Sequence, residues 1–448
     1  MNRDVNDVTK GAMVTQGKTK AGYVVLENPD ALIMESRDAL TKNDDPSATK
    51  EMTSKGKFST ITTSRVFELL KKAGIPVAYE RQLSEMEFLA ARCDMIPLEV
   101  VVRRYAVGSF LKRYPNLLKG GRDGIPHRFH RLVFELFLKT TEGKVSGKEE
   151  CVRGGTPIDP ESGRPIDDPF IDTDSLEENV WCLRHPKVPR WEKASDLKRL
   201  VFREDVLPPE VSVGRIEEIA RKVFLILEGA WAQLGCRLID FKIEFGIDRG
   251  GNLVVADVID NDSWRLRTGD WQELSKQLFR DNFNMNAIAD RYALVATLVE
   301  RFAIPNQAIV LWRGSDRDAF PEVPEEMVGI AKVEVTQSGH KAPSGSLDTL
   351  EHILAKYPEG GVILALVGMS NGLGPMLAAR TNWSVIAVPL TARERPHDVW
   401  SSLEVPSNVP LSVILSPKNA VSAALNILAQ KNPVVFMERQ YAIEALDR

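Results

Sequence analysis

A chain of 448 residues exceeds what one hydrophobic core usually supports, so two or three domains are expected. With a net charge of −4 and 43% hydrophobic residues, the sequence reads as neither disordered nor a general binder of nucleic acid, and any basic site must be local. The four cysteines, Cys93, Cys151, Cys182 and Cys236, form no Cys-x-x-Cys pair, which points to a reduced cytoplasmic protein without a structural zinc. No apolar run approaches the roughly 18 residues that a membrane span needs.

In the first block, alternating segments such as AGYVVLE (21–27) and EVVVRRYAVGSF (99–110) predict strands, and SRVFELLKKA (64–73) predicts a helix. Gly17, Lys18 and Lys20 mark a turn entering a strand; without a Walker A spacing, a phosphate-covering loop and a solvated hairpin both stay open. Arg103, Arg104, Ser109, Lys112 and Arg113 gather around Gly108, which suits phosphate binding or a basic strand face. Between Thr140 and about Pro209 the chain turns rich in Gly, Pro and charge, which predicts a long excursion or lid and little packed core. A helix is expected from about Val213 to Leu234.

IDFKIEF follows, with Ile239, Phe241, Ile243 and Phe245 on one strand face and Asp240, Lys242 and Glu244 on the other. A two-residue Gly250-Gly251 turn would set Glu244 directly across from Asp257. Opposed carboxylates destabilise a ladder unless a cation lies between them, so a divalent metal site competes with a solvated edge. A second helical block is expected over Trp271 to about Phe302, and AIPNQ then serves as a linker. Beyond it, AIVLW, AKVEVT, GVILALV, SVIAVPL and LSVIL predict a parallel sheet covered on both faces. The loops RGSDRD, QSGHKAPSGS and GMSNGLGP fall at the carboxyl ends of its strands, where such sheets form sites.

Residues from about Thr15 to Leu298 resemble SAICAR synthetase, an ATP-dependent ligase of purine biosynthesis, through GKTK, MIPLEVVVRRYAVGSFLKR, FELFLK, IDFKIEFG and VADVIDNDSWR. Residues from about Gln307 onward resemble aminoimidazole ribonucleotide carboxylase through GSDRD, SGHKAP, SNGLGP and DVWSSL, in the order of the animal-type bifunctional enzymes. The resemblance implies an α+β two-lobed ATP-binding ligase domain over 1–302, a linker over 303–307, and an α/β three-layer, flavodoxin-like carboxylase domain with a parallel sheet over 308–448. It implies ATP and Mg2+ as cofactors, carbon dioxide as co-substrate without biotin, and aminoimidazole ribotides and aspartate as small-molecule partners. It also implies a homo-oligomer, since the carboxylase family forms octamers.

Carried over to this sequence, the resemblance sets Lys18, Lys20 and Lys139 at the ATP phosphates. Lys242, Glu244 and Asp257 match the ATP and magnesium site, with Lys242 and Asp257 in catalysis, and Arg103, Ser109 and Arg265 match the ribotide contacts. In the carboxylase half it implies His340 as the acid/base group, Ser315, Ser338 and Lys341 at the phosphate, Asp318 at the ribose, and Ser370 and Asn371 around the ring and carbon dioxide. Arg317 and Met369 depart from the family pattern, and Pro321 and Pro324 oppose a long first helix, so a non-catalytic assembly or binding domain is the alternative for this half.

Overall fold

The structure, a computed structural model, describes residues 8–446 apart from 18, 43–44, 120–124, 149, 160, 174–178, 276–284 and 322–330. Lys18 and most of the expected first helix of the second half therefore lie outside the described residues. The backbone divides into two compact units, one ending at Phe302 and the other covering Ala303–Leu446.

Among the described residues, the first unit begins with strands β1 (Lys10–Gln16), β2 (Lys20–Val25) and β3 (Asn28–Ser36), followed by helix α1 (Lys55–Lys72) and strands β4 (Tyr79–Gln82) and β5 (Glu87–Ala91). These strands form an antiparallel sheet in the order β1-β2-β3-β5-β4. Helix α1 starts nine residues before the expected Ser64. Its first turns are poor in helix formers, but Ser59, Thr60, Thr62 and Thr63 are buried, and tertiary packing outweighs weak local propensity there.

A second antiparallel sheet is built from β6 (Leu98–Tyr105), β7 (Arg128–Leu138), β8 (Phe170–Asp172), β9 (Val180–Arg184), β10 (Asp196–Phe202), β11 (Cys236–Asp248), β12 (Leu253–Ala256) and β13 (Trp264–Thr268). Its order is β10-β9-β8-β7-β6-β11-β12, with β13 and the short strand Cys93–Met95 also paired to β11. Strands β8 to β10 correct the reading of Thr140–Pro209 as mostly unpacked excursion, for Phe170, Ile171, Trp181, Leu183 and Val201 are buried in the sheet.

Helix α2 (Val213–Gln233) starts where Ser212 accepts the Arg215 N–H at 3.1 Å, a cap that contributes about 1 kcal/mol. It buries Ile216, Ile219, Ala220, Val223, Phe224, Leu227 and Trp231, a stripe at helical spacing. Among the described residues, helix α3 covers Met285–Val299 of the expected helical block. Trp271–Ser275 instead folds back, its Leu274 N–H bonding the Leu266 carbonyl at 2.8 Å.

The second unit contains β14 (Ala308–Arg313), β15 (Lys332–Gln337), helix α4 (Pro343–Lys356), β16 (Gly361–Val367), helix α5 (Leu373–Ala378), β17 (Ser384–Pro389), β18 (Leu411–Val413), and helices α6 (Pro417–Leu428) and α7 (Pro433–Ala445). All strand pairs are parallel, in the order β15-β14-β16-β17-β18. Strand alternation sends Ile309, Leu311, Val362, Leu364 and Leu366 to a core with α6, while Ala308, Val310, Trp312, Ile363 and Ala365 pack on the opposite face with α4 and α5. The result is the expected three-layer, flavodoxin-like architecture. Its connections diverge to either side of β14, which opens a crevice at the carboxyl end of that strand.

Candidate active sites

In the first unit β11 is the axis of the site. Its apolar residues fill the core, and its charged face is no solvated edge: Asp240 is 4% exposed and Glu244 6%. That face lines a cleft of about 350 Å³ together with residues of β2, β6, β13 and the loops around Asp168 and Asp257–Ser263.

The β11–β12 hairpin differs from the expected one by one residue. Asp248 N–H bonds Asn252 O at 3.0 Å, and Gly251 N–H bonds Asp248 O at 3.0 Å, so the loop holds Arg249, Gly250 and Gly251. Gly251 takes φ 80°, the left-handed position that three-residue hairpin loops require. Glu244 therefore pairs with Ala256 and not with Asp257. A regular continuation of β12 would point Asp257 to the other face; instead the residue turns at φ 60°, and its carboxylate lines the same cleft and interacts with Glu244.

Cations separate these two acids. Lys20 Nζ lies 2.7 Å from Asp257 Oδ1, and Lys139 Nζ lies 2.6 Å from Glu244 Oε1. Burial, followed by the charge of Asp257, pushes the Glu244 carboxyl above its ordinary range. Asp257 is held below its ordinary range, because Lys20, with Lys139 and Lys242 behind it, overcomes the effect of burial. Two carboxylates without a third His, Cys, Asp or Glu near enough to complete a cage among the described residues fit a hard cation whose remaining oxygens come from phosphate.

Lys242 pairs with Glu99, a partner that sequence reading did not single out. Burial works against the Lys242 charge, yet Glu99 and Glu244 hold its pKa above the ordinary lysine value. Further along the lining, Asp240 accepts from both Arg103 and Arg265, the latter at 2.5 Å, and Arg103 Nε also bonds Glu135 at 2.7 Å. Gly108 sits against the Arg265 guanidinium at φ 59°, and Ser109, at the start of a short helix, follows it without lining the cleft. The cleft thus brings together Lys20, Arg103, Lys242, Glu244, Asp257 and Arg265, with Lys139 reaching it through Glu244. Asp168, Asp260 and Asp262 belong to it too; lying in loops, they gave no periodic signal.

In the second unit three loops meet at the carboxyl ends of β14, β15 and β16. Ser315 Oγ donates to Asp318 Oδ2 at 2.9 Å, and Asp318 is 8% exposed. A Cβ on Gly368 would lie 2.7 Å from Asp318 Oδ1, which ties the first loop to the third. A Cβ on Gly372 would lie 2.6 to 2.9 Å from the His340 ring, which ties the second to the third. Ser338 Oγ is buried without a hydrogen-bond partner among the described residues, and a buried hydroxyl left unmet marks a place for a ligand. His340, Lys341 and Ser370 are exposed, as is Arg317.

Asn371 behaves differently from the expected ring contact. Its Nδ2 donates to Ser402 Oγ at 3.1 Å and its Oδ1 accepts the Gly374 N–H at 2.8 Å, so its amide shapes the loop at the start of α5. Met369 is 61% exposed, and the Arg395 guanidinium lies against its sulfur.

Two family models match the chain. The model for SAICAR synthetase matches residues 13–147 and 203–294, and that for AIR carboxylase matches 319–443. Among curated proteins, the probable multifunctional protein ADE2 of Caenorhabditis elegans is 31% identical over 95% of this chain and 91% of its own length. The human bifunctional phosphoribosylaminoimidazole carboxylase/phosphoribosylaminoimidazole succinocarboxamide synthetase is 31% identical over 97% of this chain and 93% of its own. Among solved structures, the phosphoribosylaminoimidazole-succinocarboxamide synthase of Ehrlichia chaffeensis covers 66% of this chain and 100% of that chain at 23% identity, with a TM-score of 0.47.

Proposed function

The chain belongs to the family of bifunctional phosphoribosylaminoimidazole carboxylase/succinocarboxamide synthetases, and from that premise we propose that each unit carries one of its two activities at the site described. It is an enzyme of purine biosynthesis that carboxylates aminoimidazole ribonucleotide and ligates aspartate to the product. The unit ending at Phe302 is the ligase, the residues after it begin the linker, and the second unit is the carboxylase.

In the ligase, ATP phosphorylates the ribotide carboxylate, and the aspartate amine then displaces phosphate. Lys20 and Lys139 neutralise the ATP phosphates, Lys18 belongs with them by its place in the motif, and Lys242 stands over charge developing on the transferred group. Arg103 and Arg265, braced by Asp240, take the ribotide phosphate and carboxylate, with Ser109 beside them. Glu244 and Asp257 would hold Mg2+, which when bound neutralises phosphate oxygens.

In the carboxylase, the imidazole carbon attacks carbon dioxide without ATP or biotin, and His340 takes the proton from that carbon, a task suited to imidazole. Ser315, Ser338 and Lys341 hold the phosphate, Asp318 the ribose, and Ser370 with the Asn371 loop bounds the ring. By family resemblance the protein is a cytoplasmic homo-octamer. No helix among the described residues is long and apolar enough to cross a membrane.

The observation that carries the ligase reading is the return of Asp257 to the Glu244 side by a left-handed turn, which sets two carboxylates among cations in one cleft. Glu244→Gln is expected to lower ligation by about 10²-fold or more and to weaken its magnesium dependence. Full activity with unchanged magnesium dependence would remove the metal assignment.

A further inference from the structure

One acid of the ligase cleft has neither a role in the proposed chemistry nor a cation or hydroxyl bound to its carboxylate at short range. Asp168 lines the cleft from the loop before β8, at φ 48°, a conformation that residues other than glycine keep where their surroundings demand it. The loop is tied by Asp167, whose Oδ1 accepts the Gly143 N–H at 2.7 Å and the Thr140 hydroxyl at 3.3 Å, and by the Asp168 N–H, which donates to the same Thr140 hydroxyl at 2.9 Å. Asp168 Oδ1 accepts the Thr140 N–H at 3.0 Å, and its Oδ2 makes no hydrogen bond among the described residues.

Every other described carboxylate of the cleft is engaged. Glu99 holds Lys242, Asp240 holds two arginines, Glu244 and Asp257 hold Lys139 and Lys20, Asp260 accepts from Ser59, and Asp262 pairs with Lys55. The charged groups facing Asp168 are Glu99 on β6, Lys242 on β11 and the adjoining Asp167, and the nearest cation among them is already bound to Glu99. Burial and then Glu99 push the Asp168 carboxyl up to about 7.

We propose that Asp168 is the base that takes the proton from the incoming aspartate amine, a role that rests on the ligase reading of this cleft. One proton of the aspartate ammonium passes to Asp168 Oδ2, which frees the nitrogen lone pair to attack the acyl-phosphate carbon and form the C–N bond. The C–O bond to phosphate breaks, its electron pair leaving with phosphate, and the second nitrogen proton departs with that phosphate. A base whose pKa lies near the working pH serves such a transfer best, being largely free of its proton yet basic enough to accept another.

The test uses the full chain and two nucleophiles. Aspartate reaches the site as an ammonium and needs a base, whereas hydroxylamine is already unprotonated at neutral pH and needs none. Asp168→Asn keeps an oxygen for the Thr140 N–H. The variant is expected to lose on the order of 10²-fold in turnover with aspartate while forming hydroxamate from the ribotide, ATP and hydroxylamine within about threefold of wild type. Wild-type kcat/KM for aspartate should also fall as pH drops through about 7, and the variant should lack that limb. Turnover with aspartate within about threefold of wild type, or equal loss with both nucleophiles, overturns the role of Asp168. A wild-type protein inert with both nucleophiles overturns the ligase reading itself and the proposal with it.

Discussion

Asp168 carries a consequence for stability as well as for catalysis. An aspartate in an unfolded chain titrates near pH 3.9, whereas burial and then Glu99 push this one up to about 7 in the fold. Between roughly pH 4 and 7 the folded state therefore holds a proton that the unfolded state has released, so stability falls as pH rises across that window. Asp168→Asn removes the titration. Its melting temperature relative to wild type is expected to climb from pH 4.5 to 7 and to level off above; a difference independent of pH would show that the carboxyl titrates normally. The left-handed, desolvated acid is held in a loop fixed by Asp167 on Gly143 and Thr140 and by Asp168's own N–H on the Thr140 hydroxyl.

At the scale of elements, the second site depends on three loops kept in contact by missing side chains. Gly372 has an ordinary negative φ of −89°, so alanine there meets no backbone strain, yet its Cβ would fall 2.6 Å from His340 Cδ2. Gly372→Ala is expected to push the ring aside and lower carboxylation by about 10²-fold, the usual effect of misplacing a reacting group by an ångström, with ligation unchanged. Carboxylation at the wild-type rate would show that His340 needs no fixed position. The strand Gly361–Val367 and the charged face of β11 were readable because an uninterrupted apolar run and a strict period of two survive any packing. The register of the β11–β12 hairpin was not, since a Gly-Gly pair fits both a two-residue turn and a three-residue loop ending in a left-handed glycine. Strands β8 to β10 were hidden because segments of three to seven residues among Gly, Pro and charge carry too few alternations to register. Asp168 was unreadable for a related reason: a loop acid declares itself only when the fold sets it beside Glu99 and Lys242.

For the whole molecule, one chain carries two chemistries whose order is fixed by their products. The carboxylase makes the carboxylate that the ligase activates, so the two activities have distinct requirements although they share an intermediate. In the proposed assignment, carboxylation draws on His340 and needs neither ATP nor magnesium, while ligation draws on the cleft around Glu244 and Asp257 and needs both. Arg317 and Met369 leave the histidine loop itself in place, with the Ser338 hydroxyl unmet and the Ser315–Asp318 pair formed. The most direct measurement supplies the full-length protein, wild type and His340→Asn, with aminoimidazole ribonucleotide and bicarbonate, first alone and then with ATP, magnesium and aspartate. Wild type should form the carboxylated ribotide in the first mixture and the succinocarboxamide only in the second, and His340→Asn should fail in both yet still ligate aspartate when the carboxylated ribotide is supplied directly. Absence of any carboxylated product from wild type without ATP, or an undiminished rate in His340→Asn, would contradict the account.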